Sequence, residues 1–199
     1  MQIVRKAREI KTVILHPLVS MSLFFKGCNH FIIGKRLQIN RLNYLRVGKN
    51  VSIGTDARLL FVPEYAGIKQ SPSIIIGDNV SIGNRFSALS AAEIVIGDNN
   101  LIASDVLITS ENHGMDLENS KSYAELPLIA SPVNIGEGCW IGEKVSIMPG
   151  VSIGSRCIIA ANSVVTHSFP ADRIIAGVPA KVIKRYDYEK HIWIKETEE

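Results

Sequence analysis

The sequence predicts an all-β protein, a parallel β-helix built from six-residue repeats, and three observations predict it. Branched apolar residues recur at strict six-residue intervals, Ile135, Ile141, Ile147, Ile153, Ile159 and Val165, a period that is neither helical nor that of a simple strand. Small or polar residues follow them, as in Ile135-Gly136, Ile141-Gly142, Ile153-Gly154 and Ile159-Ala160, and compact residues sit four positions on at Cys139, Val145, Val151, Cys157 and Ser163. The same phase recurs upstream in shorter registers, Val47 and Ile53, Ile76 and Ile82, then Ile96, Ile102 and Ile108, so the repeat runs from about Ile33 to Val165.

A six-residue unit forms one short flat face and a turn, and three units close a triangular coil. The inward residue of each unit then stacks on its counterpart eighteen residues along the chain. One unit buries nothing by itself, and stability accumulates through neighbour stacking. Gly77-Asp78-Asn79 and Gly97-Asp98-Asn99 supply the turn chemistry and the tolerance of positive φ that the corners need.

The organisation that follows is an N-terminal helical cap over 1–32, a β-helix over 33–166 with a protruding loop at 112–132, and a C-terminal extended segment and short helix over 167–199. Arg5, Lys6, Arg8 and Lys11 precede an apolar stretch from Val13 to Phe25. That stretch contains His16 and Pro17, lacks an Ala-x-Ala-like cleavage site and is shorter than the roughly 20 apolar residues a membrane span needs. It reads as a capping helix, with peripheral contact to a membrane surface or a neighbouring subunit as the alternative. Phe169 to Ile183 leaves the six-residue phase and contains Pro170 and Pro179, so it is expected as extended chain covering the open edge of the last coil. Tyr188, Ile192 and Trp193 lie near helical spacing and predict a short terminal helix over 186–199.

With 199 residues, 46% hydrophobic and 21% charged, the chain has apolar material for one sizeable core. A net charge of +3, with no basic run interleaved with aromatics, argues against a nucleic-acid partner. Cys28, Cys139 and Cys157 form neither an even set nor a Cys-x-x-Cys pair, which points away from a disulfide framework or a zinc knuckle and toward a reducing cytoplasm. Cys139 and Cys157 occupy one slot a full coil apart, and strands about 4.8 Å apart make their thiols neighbours.

The largest break in the repeat follows Ile108, where Asn112-His113-Gly114-Met115-Asp116 opens a polar excursion that lasts until Pro132. Long loops on a regular scaffold are usually functional or disordered. His113 comes directly after a repeat strand, beside a rigid wall, and histidine is the side chain best suited to accept a proton near neutral pH.

The stretch from Ile96 to Tyr186 resembles the hexapeptide-repeat acyltransferases, most closely the sugar O-acetyltransferases that modify surface polysaccharides. The residues that carry the resemblance are Ile108-Thr109-Ser110-Glu111-Asn112-His113-Gly114, Ile135-Gly136-Glu137-Gly138-Cys139-Trp140-Ile141-Gly142, Pro149-Gly150-Val151-Ser152-Ile153-Gly154, Ala160-Ala161-Asn162-Ser163-Val164-Val165-Thr166 and Ala176-Gly177-Val178-Pro179-Ala180-Lys181-Val182-Ile183. The first and last are the most specific.

The resemblance implies a left-handed β-helix, a homotrimer, and acetyl-CoA lying in the groove between adjacent subunits, with no metal. It casts His113 as the general base that deprotonates an acceptor hydroxyl as it attacks the thioester directly, in a ternary complex. A backbone N–H near Gly142 would serve the developing oxyanion. Trp140 corresponds to an aromatic lining the subunit groove, Gly142 to a further cofactor-binding position, and Glu143, Ala161 and Thr166 to positions along the pantetheine arm. Lys181 and Lys184 correspond to basic positions near the nucleotide phosphates, and Asn84, at the break between Gly83 and Phe86, to an acceptor-sugar contact. Two departures stand out. Ser110 and Glu111 replace an aspartate and a histidine frequent in relatives, leaving Glu111 as the candidate to orient His113, and His167 stands where lysine is frequent.

The function expected is an acetyl-CoA-dependent O-acetyltransferase of a surface or capsular saccharide or its nucleotide- or lipid-linked precursor, acting in the cytoplasm. An N-acetyltransferase of an amino-sugar nucleotide would need a separate nucleotide-binding domain, for which the N-terminal segment leaves little room. A zinc carbonic anhydrase needs three converging histidines, whereas of His16, His30, His113, His167 and His191 only one lies within the central repeats. A non-enzymatic hexapeptide scaffold would have no use for the histidine loop or for Ala176-Gly177-Val178-Pro179.

Overall fold

The computed structural model describes residues 2–28, 30–118 and 122–196. Two helices, α1 (Gln2–Leu15) and α2 (Pro17–Phe25), precede the coils. Pro17 divides what the sequence suggests is one helix: the residue before a proline is pushed out of the helical region, and His16 takes φ −134° while Pro17 starts α2 at its first position. The pair seals the first coil. The Ile33 N–H donates to Thr12 Oγ1 at 3.0 Å, His16 Nε2 lies 2.7 Å from the Gly34 carbonyl, and Leu23 and Cys28 are buried against the core. An otherwise open strand edge is thereby given partners.

The coils form a left-handed parallel β-helix with three faces. Going down the first face, the strands are Ile32–Ile33, Ser52–Ile53, Ser81–Ile82, Leu101–Ile102, Trp140–Ile141, Ile158–Ile159 and Arg173–Gly177. The second runs from Gln38–Ile39 to Val164–Val165 and the third from Leu45–Val47 to Ser152–Ile153. The eighteen-residue stacking holds in the second half of the chain, where Ile135 registers with Ile153, Ile141 with Ile159 and Ile147 with Val165. Upstream the step is longer. Ile33 registers with Ile53 and Ile82 with Ile102, because the corner between second and third faces there carries two more residues. The inserted loops at 62–72 and 110–132 leave the register of the flanking coils intact, with Ile53 still on Ile82 and Ile102 still on Ile141.

Two ridges turn through left-handed backbone. Between the first and second faces the residues at positive φ are Arg36, Asp56, Arg85, Asp105, Lys144 and Asn162, one per coil. On the ridge leading into the first face, Asn50, Asn79, Asn99, Gly138, Arg156 and Asp172 do the same. Asparagine and aspartate tolerate this region because a short polar side chain bonds locally. The arginines are held there by carboxylates one coil on: Arg36 with Asp56, Arg85 with Asp105 at 2.6 Å, and Arg156 with Asp172 at 2.7 Å. Each of the three aspartates is held below the usual carboxylate range, chiefly by the hydrogen bond from its arginine.

The C-terminal segment departs from expectation in one respect. Phe169 bridges Ile153 on the third face, and Arg173–Gly177 continues the first face beside Ile158–Ile159, so the last coil's edge is covered by extended chain. No helix follows among the described residues. Ala180–Asp187 folds back antiparallel on Arg173–Gly177, and Ile192–Lys195 pairs with it in turn. The spacing of Tyr188, Ile192 and Trp193 that suggests a helix instead serves a hairpin, whose turn is closed by Asp187 Oδ1 accepting the N–H groups of Glu189 and Lys190 at 3.0 Å each. Tyr186 faces Trp193 across the strands with ring centroids 5.3 Å apart. β-branched and aromatic residues beside an unpaired strand edge pair with it rather than coil. Residues 197–199 of the expected helix lie outside the described residues.

Because Ile141 is 0% exposed and stacked between Ile102 and Ile159, Ile141→Ala is expected to cost about 2–5 kcal/mol. The denaturant midpoint should fall at unchanged m-value; a variant that unfolds with the wild-type midpoint would contradict the stacked column.

Candidate active site

Chain 110–132 leaves the coil between the second-face strand Leu107–Thr109 and the third-face strand Val133–Ile135. Its exit is pinned by Ser110, 0% exposed, whose Oγ accepts the N–H groups of Ala91 and Ala92 at 3.1 and 3.0 Å and lies 2.9 Å from the Ala92 carbonyl. Ser110 is therefore a structural bolt. Beyond it, Glu111–His113 pairs antiparallel with Leu128–Ala130, His113 opposite Leu128. Gly114 then passes so close to the returning chain that a Cβ would lie 2.8 Å from the Pro127 carbonyl. Farther out, Ser122 and Glu125 form a reciprocal cap on the short helical turn Tyr123–Glu125. Residues 119–121 of the expected loop lie outside the described residues.

A second loop buttresses the first. Glu64–Tyr65 and Ile68–Lys69 make a small hairpin, and the Tyr65 ring packs edge-on to the His113 imidazole at 5.4 Å between centroids while its hydroxyl donates to the Ala124 carbonyl. His113 is solvent-exposed and stands on a paired strand against an aromatic wall. Tyr65 was not legible as a site residue, because the loop that carries it leaves an earlier coil; its one sequence signal is an aromatic residue within a polar insertion.

Glu111 lies two residues before His113 on the same side of the hairpin. It is half-buried, its Oε2 is shielded from solvent with no hydrogen-bond partner, and burial pushes its carboxyl above the ordinary range while the His113 charge pulls it down. An ionised Glu111 and a protonated His113 therefore stabilise one another.

The other candidates fall in separate places. Asn84 lies on the ridge between first and second faces, and it sits at no break: Gly83 to Phe86 is a regular corner. Its Oδ1 accepts the Thr55 N–H at 2.9 Å and the Thr55 hydroxyl at 3.3 Å, and its own N–H donates to Ser104 Oγ. Gly142, Glu143 and Ala161 continue this ridge, with Trp140 beside them, 53% exposed on the first face. The Gly142 N–H itself donates to the Ile159 carbonyl at 2.8 Å. A Cβ at Gly142 would lie 2.6 Å from the Ala161 nitrogen. Thr166 and His167 follow the last second-face strand, and the His167 ring rests on Phe169 with centroids 4.4 Å apart. Lys181, exposed, and Lys184, half-buried, lie on the returning strand Ala180–Asp187. The described residues contain no group of three or more metal-ligating side chains, and none of their helices is long and apolar enough to cross a membrane. Cys139 and Cys157 are free and buried, and hydrogen bonding with Cys157, followed by burial, raises the Cys139 thiol.

A family profile for the bacterial transferase hexapeptide (six repeats) matches residues 132–167. The protein named "Putative lipopolysaccharide biosynthesis O-acetyl transferase WbbJ" of Escherichia coli (strain K12) is 35% identical over 179 residues, covering 87% of each chain. The chain belongs to the hexapeptide-repeat acyltransferases. Galactoside O-acetyltransferase of the same organism is 36% identical over 142 residues, 68% of each chain. A solved galactoside acetyltransferase in complex with coenzyme A superposes with a TM-score of 0.55 at 32% identity, covering 74% of this chain and 72% of the other. AntD, an N-acyltransferase from Bacillus cereus, superposes with a TM-score of 0.67 over 82% of this chain and 84% of its own at 21% identity, a likeness of fold. This hexapeptide-repeat protein is accordingly an enzyme, an acetyltransferase.

A carboxyl whose folded pKa is raised disfavours the folded state once pH passes its unfolded value of about 4.3, and the penalty is fully present above the folded value. Glu111→Gln is expected to raise Tm at pH 7 and to leave it nearly unchanged at pH 4. A lower Tm at pH 7 would show that the Glu111 charge is paired.

Proposed function

We propose that this enzyme is an acetyl-CoA-dependent O-acetyltransferase acting on a sugar hydroxyl of a surface or capsular saccharide or its precursor, in the cytoplasm. The observation that carries the reading is His113, exposed on a paired strand and walled by Tyr65, in a chain whose relatives are named as sugar O-acetyltransferases. A sugar hydroxyl is a weak nucleophile, so a base within hydrogen-bond reach contributes more than a strong one. His113 takes the hydroxyl proton as the oxygen attacks the thioester carbonyl. The C–S bond breaks as the tetrahedral intermediate collapses, and the proton passes to the departing CoA thiolate. Ionised Glu111 stabilises the imidazolium formed in between. Trp140 and Gly142 would line the cofactor groove, Glu143, Ala161 and Thr166 the pantetheine arm, with His167, Lys181 and Lys184 near the CoA phosphates.

Within one prism these groups do not converge. His113 leaves the corner between second and third faces, whereas Asn84, Gly142, Glu143 and Ala161 lie on the ridge between first and second. A three-fold assembly of parallel prisms would bring the histidine loop of one copy to the ridge of the next, and the site is completed only there. The helical cap carries Ile14, Leu18, Phe24 and Phe25, each at least 67% exposed. Exposed apolar side chains on a helical cap favour peripheral contact with a membrane surface.

Release of free CoA thiol from acetyl-CoA in the presence of nucleotide sugars and oligosaccharides is the test. His113→Ala is expected to reduce acceptor-dependent release by about 10²–10⁴-fold while CoA still raises the Tm of the variant. Equal release from both proteins would remove His113 from the mechanism. Co-expressed His113→Ala and Asn84→Ala chains, each inactive alone, should regain activity in mixed assemblies; no recovery would place the site within one chain.

A further inference from the structure

Both arginines on the ridge between first and second faces are matched. Arg36 and Arg85 each hold an aspartate one coil on. At the N-terminal end of the ridge the pattern changes. A cavity of about 260 Å³ opens between α1 and the first coils, lined by Arg8, Lys11, Lys35, Thr55 and Asn84, with Leu15 also in its wall. No carboxylate lines it. None of Arg8, Lys11 and Lys35 has an acidic partner among the described residues. Arg8 and Lys11 are three residues apart and so share a helix face, where like charges repel. Asn84 contributes a donor: its Oδ1 is taken by Thr55, and its Nδ2 bonds to nothing among the described residues. Three cations and an amide N–H around an acid-free pocket constitute an anion site that exceeds the charge of one carboxylate.

We propose that this cavity binds a diphosphate group, the linkage through which an activated or carrier-bound sugar would be presented to the enzyme. The inference rests on the acetyltransferase reading above for the identity of the sugar's partner, and deepens it by naming the substrate class. The position along the prism is consistent with that use. Lys35 follows the first strand of the first face and Asn84 the third, a separation of two coil rises, roughly 10 Å at about 4.8 Å each, which accommodates a pyranose ring and its glycosidic phosphate. The candidate donor positions Gly142 and Ala161 lie on the same ridge beyond Asn84, toward the C-terminus. Acceptor and donor then enter the site from opposite ends of one groove. The arginine offers a planar fork to phosphate oxygens and the lysines point charges.

The test is calorimetric titration of the full chain with inorganic pyrophosphate, UDP and farnesyl diphosphate, in saturating CoA so that the donor's phosphate positions are filled. Wild type should bind pyrophosphate with an affinity that falls as salt rises. Arg8→Gln/Lys11→Gln/Lys35→Gln should weaken binding at least tenfold, and Arg8→Lys/Lys11→Arg/Lys35→Arg should retain it, with CoA-induced stabilisation unchanged in both. Tighter binding of farnesyl diphosphate than of pyrophosphate assigns the site to a lipid carrier; tighter binding of UDP assigns it to a nucleotide. Absence of binding by all three probes, or equal binding by wild type and the glutamine variant, overturns the proposal. If pyrophosphate binding collapses in the glutamine variant while no acceptor is ever acetylated, the diphosphate site stands and the enzymatic reading falls. If unphosphorylated saccharides are acetylated as well as their diphosphate forms, and the glutamine variant leaves both unchanged, the cavity has no part in acceptor use.

Discussion

The stacking of one branched apolar side chain on the next, coil over coil, is the constraint on which the remaining structure depends. Strands of two or three residues are too short to hold together alone, and a two-residue strand such as Trp140–Ile141 persists because it is hydrogen-bonded on both sides and its inward isoleucine is enclosed above and below. Stability of this kind is local and cumulative. It leaves the two ends of the stack as weak points, and each is sealed differently: by the hydroxyl of Thr12 and the ring of His16 at one end, and by the returning C-terminal strands at the other.

The same constraint makes room for chemistry. Because register depends on the inward column and not on the length of chain between its members, the excursion from Ser110 to Pro132 leaves Ile102 stacked on Ile141. The loop is not left to itself. Pairing of Glu111–His113 with Leu128–Ala130, the buried Ser110 hydroxyl and the Tyr65 ring fasten the segment that carries the imidazole. The cost is an uncompensated carboxylate atom at Glu111, a form of local expense common at functional sites.

The periodic half of the fold was legible in the sequence because a six-residue period admits few other structures, and the inward residues named from it are the ones found stacked. His113 was legible for the converse reason, as a titratable residue where the period fails. The terminal hairpin was not, since the spacing of Tyr188, Ile192 and Trp193 suits a helix until the free edge of Ala180–Asp187 is known to lie beside it. Asn84 appeared to mark an interruption only because Gly83 to Phe86 lacks a hydrophobic signature; in three dimensions it is an ordinary corner whose side chain bonds to the corner before it.

Regular coil spacing gives the molecule a built-in ruler. The cap cavity at one end of the ridge and the lysine-bearing return strand at the other are separated by a fixed number of rungs, each about 4.8 Å, and neither end can slide because every intervening rung is in register. Lengthening a loop changes nothing on this scale, whereas gaining or losing one coil moves the two ends by a whole rung. Change in this scaffold therefore has two independent dials: loop sequence alters what surrounds His113, and coil number alters the distance between the two ends of the ridge.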